Sequence, residues 1–161
     1  MPYYYDVSRA ITTNGTPGTE TYHLWGTTAA NQRVVGISAC YIASRFGTAG
    51  GGQIRLKSNT GTIASGGTGT TPTKKEISGA PAAQSTWAND ATTITAGTTL
   101  VVRVTIGFAQ TGGMGGWMAN EPTAKIQMAP NGANPVDVEI TSLATTASVT
   151  ADLTLEFGEG I

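Results

Sequence analysis

Asp137 and Glu139 are the residues whose types and spacing come nearest to chemistry. They sit two apart in VDVEI, residues 136–140. Residues two apart on a strand share a face, so both carboxylates would point the same way. Paired carboxylates do acid/base or nucleophilic work in glycoside hydrolysis, provided their separation leaves room for a sugar and a water. Nothing around this pair predicts such a cleft, and Asp152 places no partner beside it. The pair reads as neighbouring charges on the wet face of a strand.

The other reactive residues are isolated. His23 is the only histidine. As a metal ligand it needs Cys, Asp or Glu partners, and as a base it needs a nucleophile; its neighbours suggest neither. It reads as a structural or surface histidine. Cys40 is the only cysteine, so no intrachain disulfide forms, and between Ala39 and Tyr41 it reads as a small buried apolar residue. Residues 47–52 (GTAGGG) lack the Gly-Lys-Ser/Thr end of a phosphate loop, and no helix follows. Asn14-Gly15-Thr16 matches a glycosylation sequon, but no secretory signal accompanies it. Trp87 reads as a loop anchor packed on the core rather than a ligand platform. The sequence therefore predicts no enzyme, no catalytic or metal-ligating residue and no cofactor.

Composition excludes further classes. The net charge is -1, and only 12% of residues are charged. Lys74-Lys75 is the one adjacent basic pair, so the basic stripe of a nucleic-acid binder is missing. No stretch approaches the ~20 apolar residues of a membrane helix, and Met1-Pro2-Tyr3 does not begin a targeting segment. The expectation is synthesis in a cytoplasm, with no nucleic-acid or membrane partner. The chain carries 28 threonines and 22 glycines. Gly loses the most backbone entropy in a helix and Thr is stiff at its first side-chain torsion, so both disfavour helices.

The elements that must position any site are therefore strands. TTLVVRVTIGF (98–108) is the strongest, β-branched and alternating for most of its length. Strands are also predicted over 19–25, 33–43, 53–57, 74–77, 124–128, 136–140 and 148–157. In the last, Val149, Ala151, Leu153, Leu155 and Phe157 form an apolar face. Gly36 suggests a bulge in 33–43. Asn131-Gly132 between two alternating runs predicts a hairpin joining 124–128 to 136–140. Residues 58–73 form a long Thr/Gly excursion. Residues 1–18 read as an extended N-terminal arm, with 19–161 as one domain. About eight strands at this spacing predict an all-β, jelly-roll-like antiparallel β-sandwich.

Three stretches carry a family resemblance. They are VVGISACYIA (34–43) with QIRLKS (53–58), the passage Ser65-Gly66-Gly67-Thr68 through Thr71-Pro72 to Pro81-Ala82-Ala83, and SVTADLTLEF (148–157). Together they resemble small tailed-phage virion proteins of the capsid decoration, or cement, type. The likeness covers about residues 20–158 and rests on Gly, Thr and Ala. The Gly-rich 111–116 segment and the Tyr-rich arm depart from the pattern. The resemblance implies a jelly-roll-like sandwich on the capsid surface of a virion. It also implies major capsid protein as partner, binding at symmetry axes and often a homotrimer.

Aromatic and methionine residues suit interface cores. Tyr3, Tyr4, Tyr5, Trp117 and Met118 are therefore the expected contact residues, the tyrosines on an arm docked to a neighbour. The competing reading for Trp117 and Met118 is that they begin a core strand. The rival function is a carbohydrate- or receptor-binding module of a tail or fibre, with Trp87 or Trp117 as the stacking platform.

Overall fold

The computed structural model describes residues 2–13, 16, 20–29, 32–45, 51–60, 64–76, 79–94, 99–109, 113–121, 124–128, 136–143 and 148–160. Fourteen strands lie among them. Eight carry the architecture: β1 (Tyr3–Thr12), β2 (Glu20–Thr27), β3 (Val35–Ser44), β4 (Gly51–Thr60), β10 (Thr99–Ala109), β11 (Met114–Met118) with β12 (Ile126–Met128), β13 (Val136–Leu143) and β14 (Thr150–Glu159). β11 and β12 share one position because both pair with β3.

One sheet runs β1, β14, β3, β11/β12, and the other β2, β13, β4, β10. In chain order these are the first, eighth, third and sixth strands, facing the second, seventh, fourth and fifth. That is the strand order of a jelly roll, and every pair is antiparallel. The fold class expected from the sequence is the one observed.

Alternation explains the core. Just before and along β14, Val149, Ala151, Leu153, Leu155 and Phe157 are all 0% exposed, while Thr150 and Asp152 face water. On β4, Ile54 and Leu56 point inward. Tyr5 stacks on Phe157 at 5.5 Å between ring centroids, and Trp87 packs on the same Phe157 at 5.0 Å. Burying side chains of this size contributes about 1.5–3 kcal/mol each.

The excursion between β4 and β10 supplies β5 (Ala64–Ser65), β6 (Thr68–Thr70), β7 (Thr73–Lys74), β8 (Thr86–Asn89) and β9 (Thr93–Ile94). β7 pairs with β1, β8 pairs with β2, and β6 pairs with β8. One stretch of chain thus extends both sheets along the same side of the sandwich. Its turn uses Gly66 and Gly67 at φ 75° and 79°, and a Cβ on Gly67 would stand 1.9 Å from the Asn89 carbonyl oxygen. The excursion is anchored by Glu159, 0% exposed, whose carboxylate accepts from the Gln84 and Ser85 amides and the Ser85 hydroxyl.

Three expectations need correction. Residues 3–12 are not an arm: β1 pairs along its whole length with β14, because Tyr5, Val7 and Ile11 fill the core. Segments 124–128 and 136–140 are not hairpin partners. β12 joins β3 in one sheet while β13 lies between β2 and β4 in the other. The Asn-Gly signal between them falls outside the described residues. The bulge in β3 is at Ser38 rather than Gly36, since Glu156 pairs with Ala39 and Phe157 with Ile37.

Candidate functional site

Two further bulges decide where polar side chains go. In β2 the register slips at His23, with Ile140 opposite Leu24 and Thr141 opposite Tyr22. In β10 it slips at Arg103, with Val102 opposite Lys57 and Val104 opposite Leu56. A bulge adds one unpaired residue, bends the strand and re-aims side chains. It also flips the facing of the residues beyond it. Simple alternation would carry Val102 inward with Ile106 and Phe108. Instead Val102 is 44% exposed, and Val101 37%, while Ile106 and Phe108 are buried.

β10 pairs with β4 on one side, and among the described strands nothing pairs with its other edge. β11 is likewise an edge strand. The two approach where a Cβ on Gly115 would come 2.6 Å from the Gly107 carbonyl oxygen. Met114 is 84% exposed and Met118 58% on that same side. Val101, Val102, Met114 and Met118 thus rim the side of the sandwich opposite the excursion. Exposed, unpaired strand edges template further pairing, and natural proteins usually blunt or cover them.

Where the two sheets part, a cleft of about 520 Å³ opens, lined by Arg103, Val104, Trp117, Lys125, Ile126 and Gln127 among others. Arg103 Nε donates to Ser58 Oγ at 2.7 Å, which fixes the guanidinium at the mouth. Trp117 is half-buried and packs on the core. Lys125 Nζ stands 5.7 Å from the Tyr4 ring centroid. Among the described residues, no carboxylate lines the cleft.

The expected contact residues separate. Trp117 and Met118 lie on a strand, β11, with Trp117 half-buried and Met118 exposed to solvent. Tyr4 is 38% exposed on β1. Tyr3 packs against the core with the Arg33 guanidinium 4.9 Å above its ring. Tyr5 is fully buried, its hydroxyl donating to the Pro81 carbonyl at 3.0 Å, so it is withdrawn as a contact residue. The structure does not bring the tyrosines together with Trp117 as one patch on an arm.

The remaining candidates fall where structural roles put them. Trp87 is 1% exposed, with Nε1 donating to Ser85 Oγ, which removes it as a stacking platform. Cys40 is buried, and burial pushes its thiol up to about 12. His23 is 3% exposed, and burial, then the nearby Arg9 cation, lower its pKa to about 4; Asp90 opposes them weakly. Arg9 crosses from β1 to pair with Asp90 at the end of β8. Glu139 lies opposite Lys57 in register and Asp137 opposite Asn59, on β13 between β2 and β4. Lys57 is 1% exposed, its Nζ 5.3 Å from the Tyr22 ring centroid. Among the described residues, no group of three or more His, Cys, Asp or Glu side chains could hold a metal ion.

Arg103, Lys125, Val101 and Val102 were not candidates from the sequence. The signal for Val101, Val102 and Arg103 was an apolar strand interrupted by one Arg, and a bulge leaves no residue-type signature there.

No protein-family model and no curated protein matches the chain. Among solved structures, it is similar to a chain in a structure of infectious bursal disease virus, Gx strain, at 13% identity and a TM-score of 0.22. The alignment covers 99% of this chain and spans 42% of that one. At that TM-score the likeness carries no weight, and the fold assignment rests on strand order.

Proposed function

We propose that this chain is a non-enzymatic virion protein of the decoration, or cement, type, bound to the outer surface of an assembled capsid. The observation that carries the reading is the asymmetry of the sandwich. Its own excursion covers one side, while on the other no described strand pairs with the outer edges of β10 and β11, which two valines and two methionines rim. Natural β-proteins keep such an edge where a partner covers it. Jelly rolls serve in capsid and lectin domains, and the sequence resemblance favours the first. In this reading the partner is the major capsid protein, the protein assembles as a homotrimer, and the exposed edge bridges shell subunits. It stabilises the shell because it binds the assembled state and not the separated one.

The test is the copy number in purified particles by quantitative mass spectrometry. Copies on the order of hundreds support decoration, because a symmetric shell repeats a site that often. A dozen or fewer moves the protein to a tail or vertex. Absence from the particle removes the reading. The double variant Val102→Glu, Met118→Glu should fold and yet be lost from particles.

A further inference from the structure

Resting on that reading, we propose that Met114 and Met118 are a reversible oxidation site, and that hydrogen peroxide acting on their thioethers weakens the protein's hold on the shell. The described sulfur atoms divide into two pairs. Met128 is 0% exposed in the core, and Cys40 is 0% exposed, its thiol pushed up to about 12 by burial. Met114 is 84% exposed and Met118 58%. Met1 lies outside the described residues. Among the described residues, an oxidant in solution therefore meets two thioethers, both on β11, and no thiolate.

The strand explains why both are reachable. Gly115 faces the core, because a Cβ there would stand 2.7 Å from Ile106 Cγ2 and 3.3 Å from Ile42 Cγ2. Alternation then turns Met114, Gly116 and Met118 outward together. Among the described strands β11 pairs only with β3, where Ala43 stands opposite Met114 and Ala39 opposite Met118. Those side chains are single methyl groups, too short to cover a thioether. The outward positions of β14 in the same sheet are Thr150, Asp152, Thr154 and Glu156, which peroxide does not attack.

The step is a two-electron oxygen transfer. A sulfur lone pair attacks one peroxide oxygen, the O–O bond breaks, a sulfur–oxygen bond forms, and the other oxygen leaves as water with both protons. The sulfur is oxidised and the peroxide reduced. The product sulfoxide is polar, and sulfoxide reductases return it to the thioether. A docking face that buries these side chains must then bury a sulfoxide oxygen with no hydrogen-bond donor set out for it. Each sulfoxide should weaken attachment by about tenfold or more.

The test treats the intact protein with hydrogen peroxide, removes the peroxide, and maps oxygen uptake by peptide mass spectrometry. Met114 and Met118 should each gain one oxygen well before Met128, with the urea midpoint unchanged. The oxidised protein is then added to particles stripped of this protein, and the bound copies are counted. Retention should fall by about tenfold or more and return after treatment with methionine sulfoxide reductases. In the double variant Met114→Leu, Met118→Leu, whatever its own retention, peroxide should change nothing further. Oxidation of Met128 at the same rate, undiminished retention of the doubly oxidised protein, or an equal loss in the leucine variant overturns the proposal. Undiminished retention, with hundreds of copies on the particle, would remove the redox control and leave decoration standing. Absence from the particle would remove decoration and the loss of attachment with it.

Discussion

Lowering the pH should destabilise this protein through His23, and the size of the effect follows from its burial. The imidazole is 3% exposed at a bulge in β2, with Arg9 close by. Its folded pKa is about 4 against an ordinary 6.5. The unfolded chain therefore takes up a proton below 6.5, while the folded chain stays neutral until about 4. Stability is full above 6.5, falls as pH drops through that window, and levels off below about 4. At roughly 1.4 kcal/mol per pH unit, the gap comes to about 3 kcal/mol. For a domain of this size that is a melting temperature lower by roughly 6 to 12 °C.

The assay is urea unfolding followed by tryptophan fluorescence across that window, on wild type and His23→Gln. The variant should lose most of the slope, because its amide does not titrate. The exposed Asp152 carboxyl, held below its ordinary 3.8 by the Arg45 guanidinium, loses its share only as pH falls past that value. Equal slopes for wild type and variant would refute the assignment to His23. A flat wild-type profile would refute the burial argument itself.

Three other outcomes are expected. Gly26→Ala would bring a Cβ to 2.5 Å from the Trp87 ring and should cost about 1–3 kcal/mol in urea unfolding, partly recovered by Trp87→Phe in a double-mutant cycle. Glu159→Ala strands the Gln84 and Ser85 amides and should cost about 3 kcal/mol; Glu159→Gln keeps an acceptor and should cost about half as much, and equal losses would contradict the anchor. The Cys40 thiol should resist thiol reagents in native buffer and react on unfolding; rapid native labelling would contradict its burial.

Much of the fold was legible because β14 from Thr150 to Phe157 and β4 from Gln53 to Leu56 keep period-two alternation, which burial on one face requires, while β3 is an apolar run buried on both faces. The errors have physical causes. Tyr3 to Tyr5 and the polar run after them look like an arm until β14 exists to pair with them, and that partner lies at the far end of the chain. The Asn-Gly signal speaks only of local chain reversal, whereas a jelly roll sends the strands on either side to opposite sheets. The site was the least legible part. Its position depends on a bulge at Arg103 and on which strand edge the excursion happens to cover, and both are properties of pairing rather than of residue type.

The coverage of the edges is the strongest constraint on function. A two-sheet sandwich has two open sides, and each costs unpaired main-chain groups unless something meets them. Here residues 64–94 meet them on the side of β1 and β2 with three short strands and a buried carboxylate anchor. On the side of β10 and β11 the described chain offers no comparable cover. It places Val101, Val102, Met114 and Met118 in solvent and turns an arginine into the gap between the sheets. Had that side been meant for water, the blunting devices would be lysines, prolines or a covering loop. An apolar rim beside an arginine is instead the composition that the proposed decoration reading asks of its docking face, and that reading therefore stands or falls with the β10 and β11 side of the molecule.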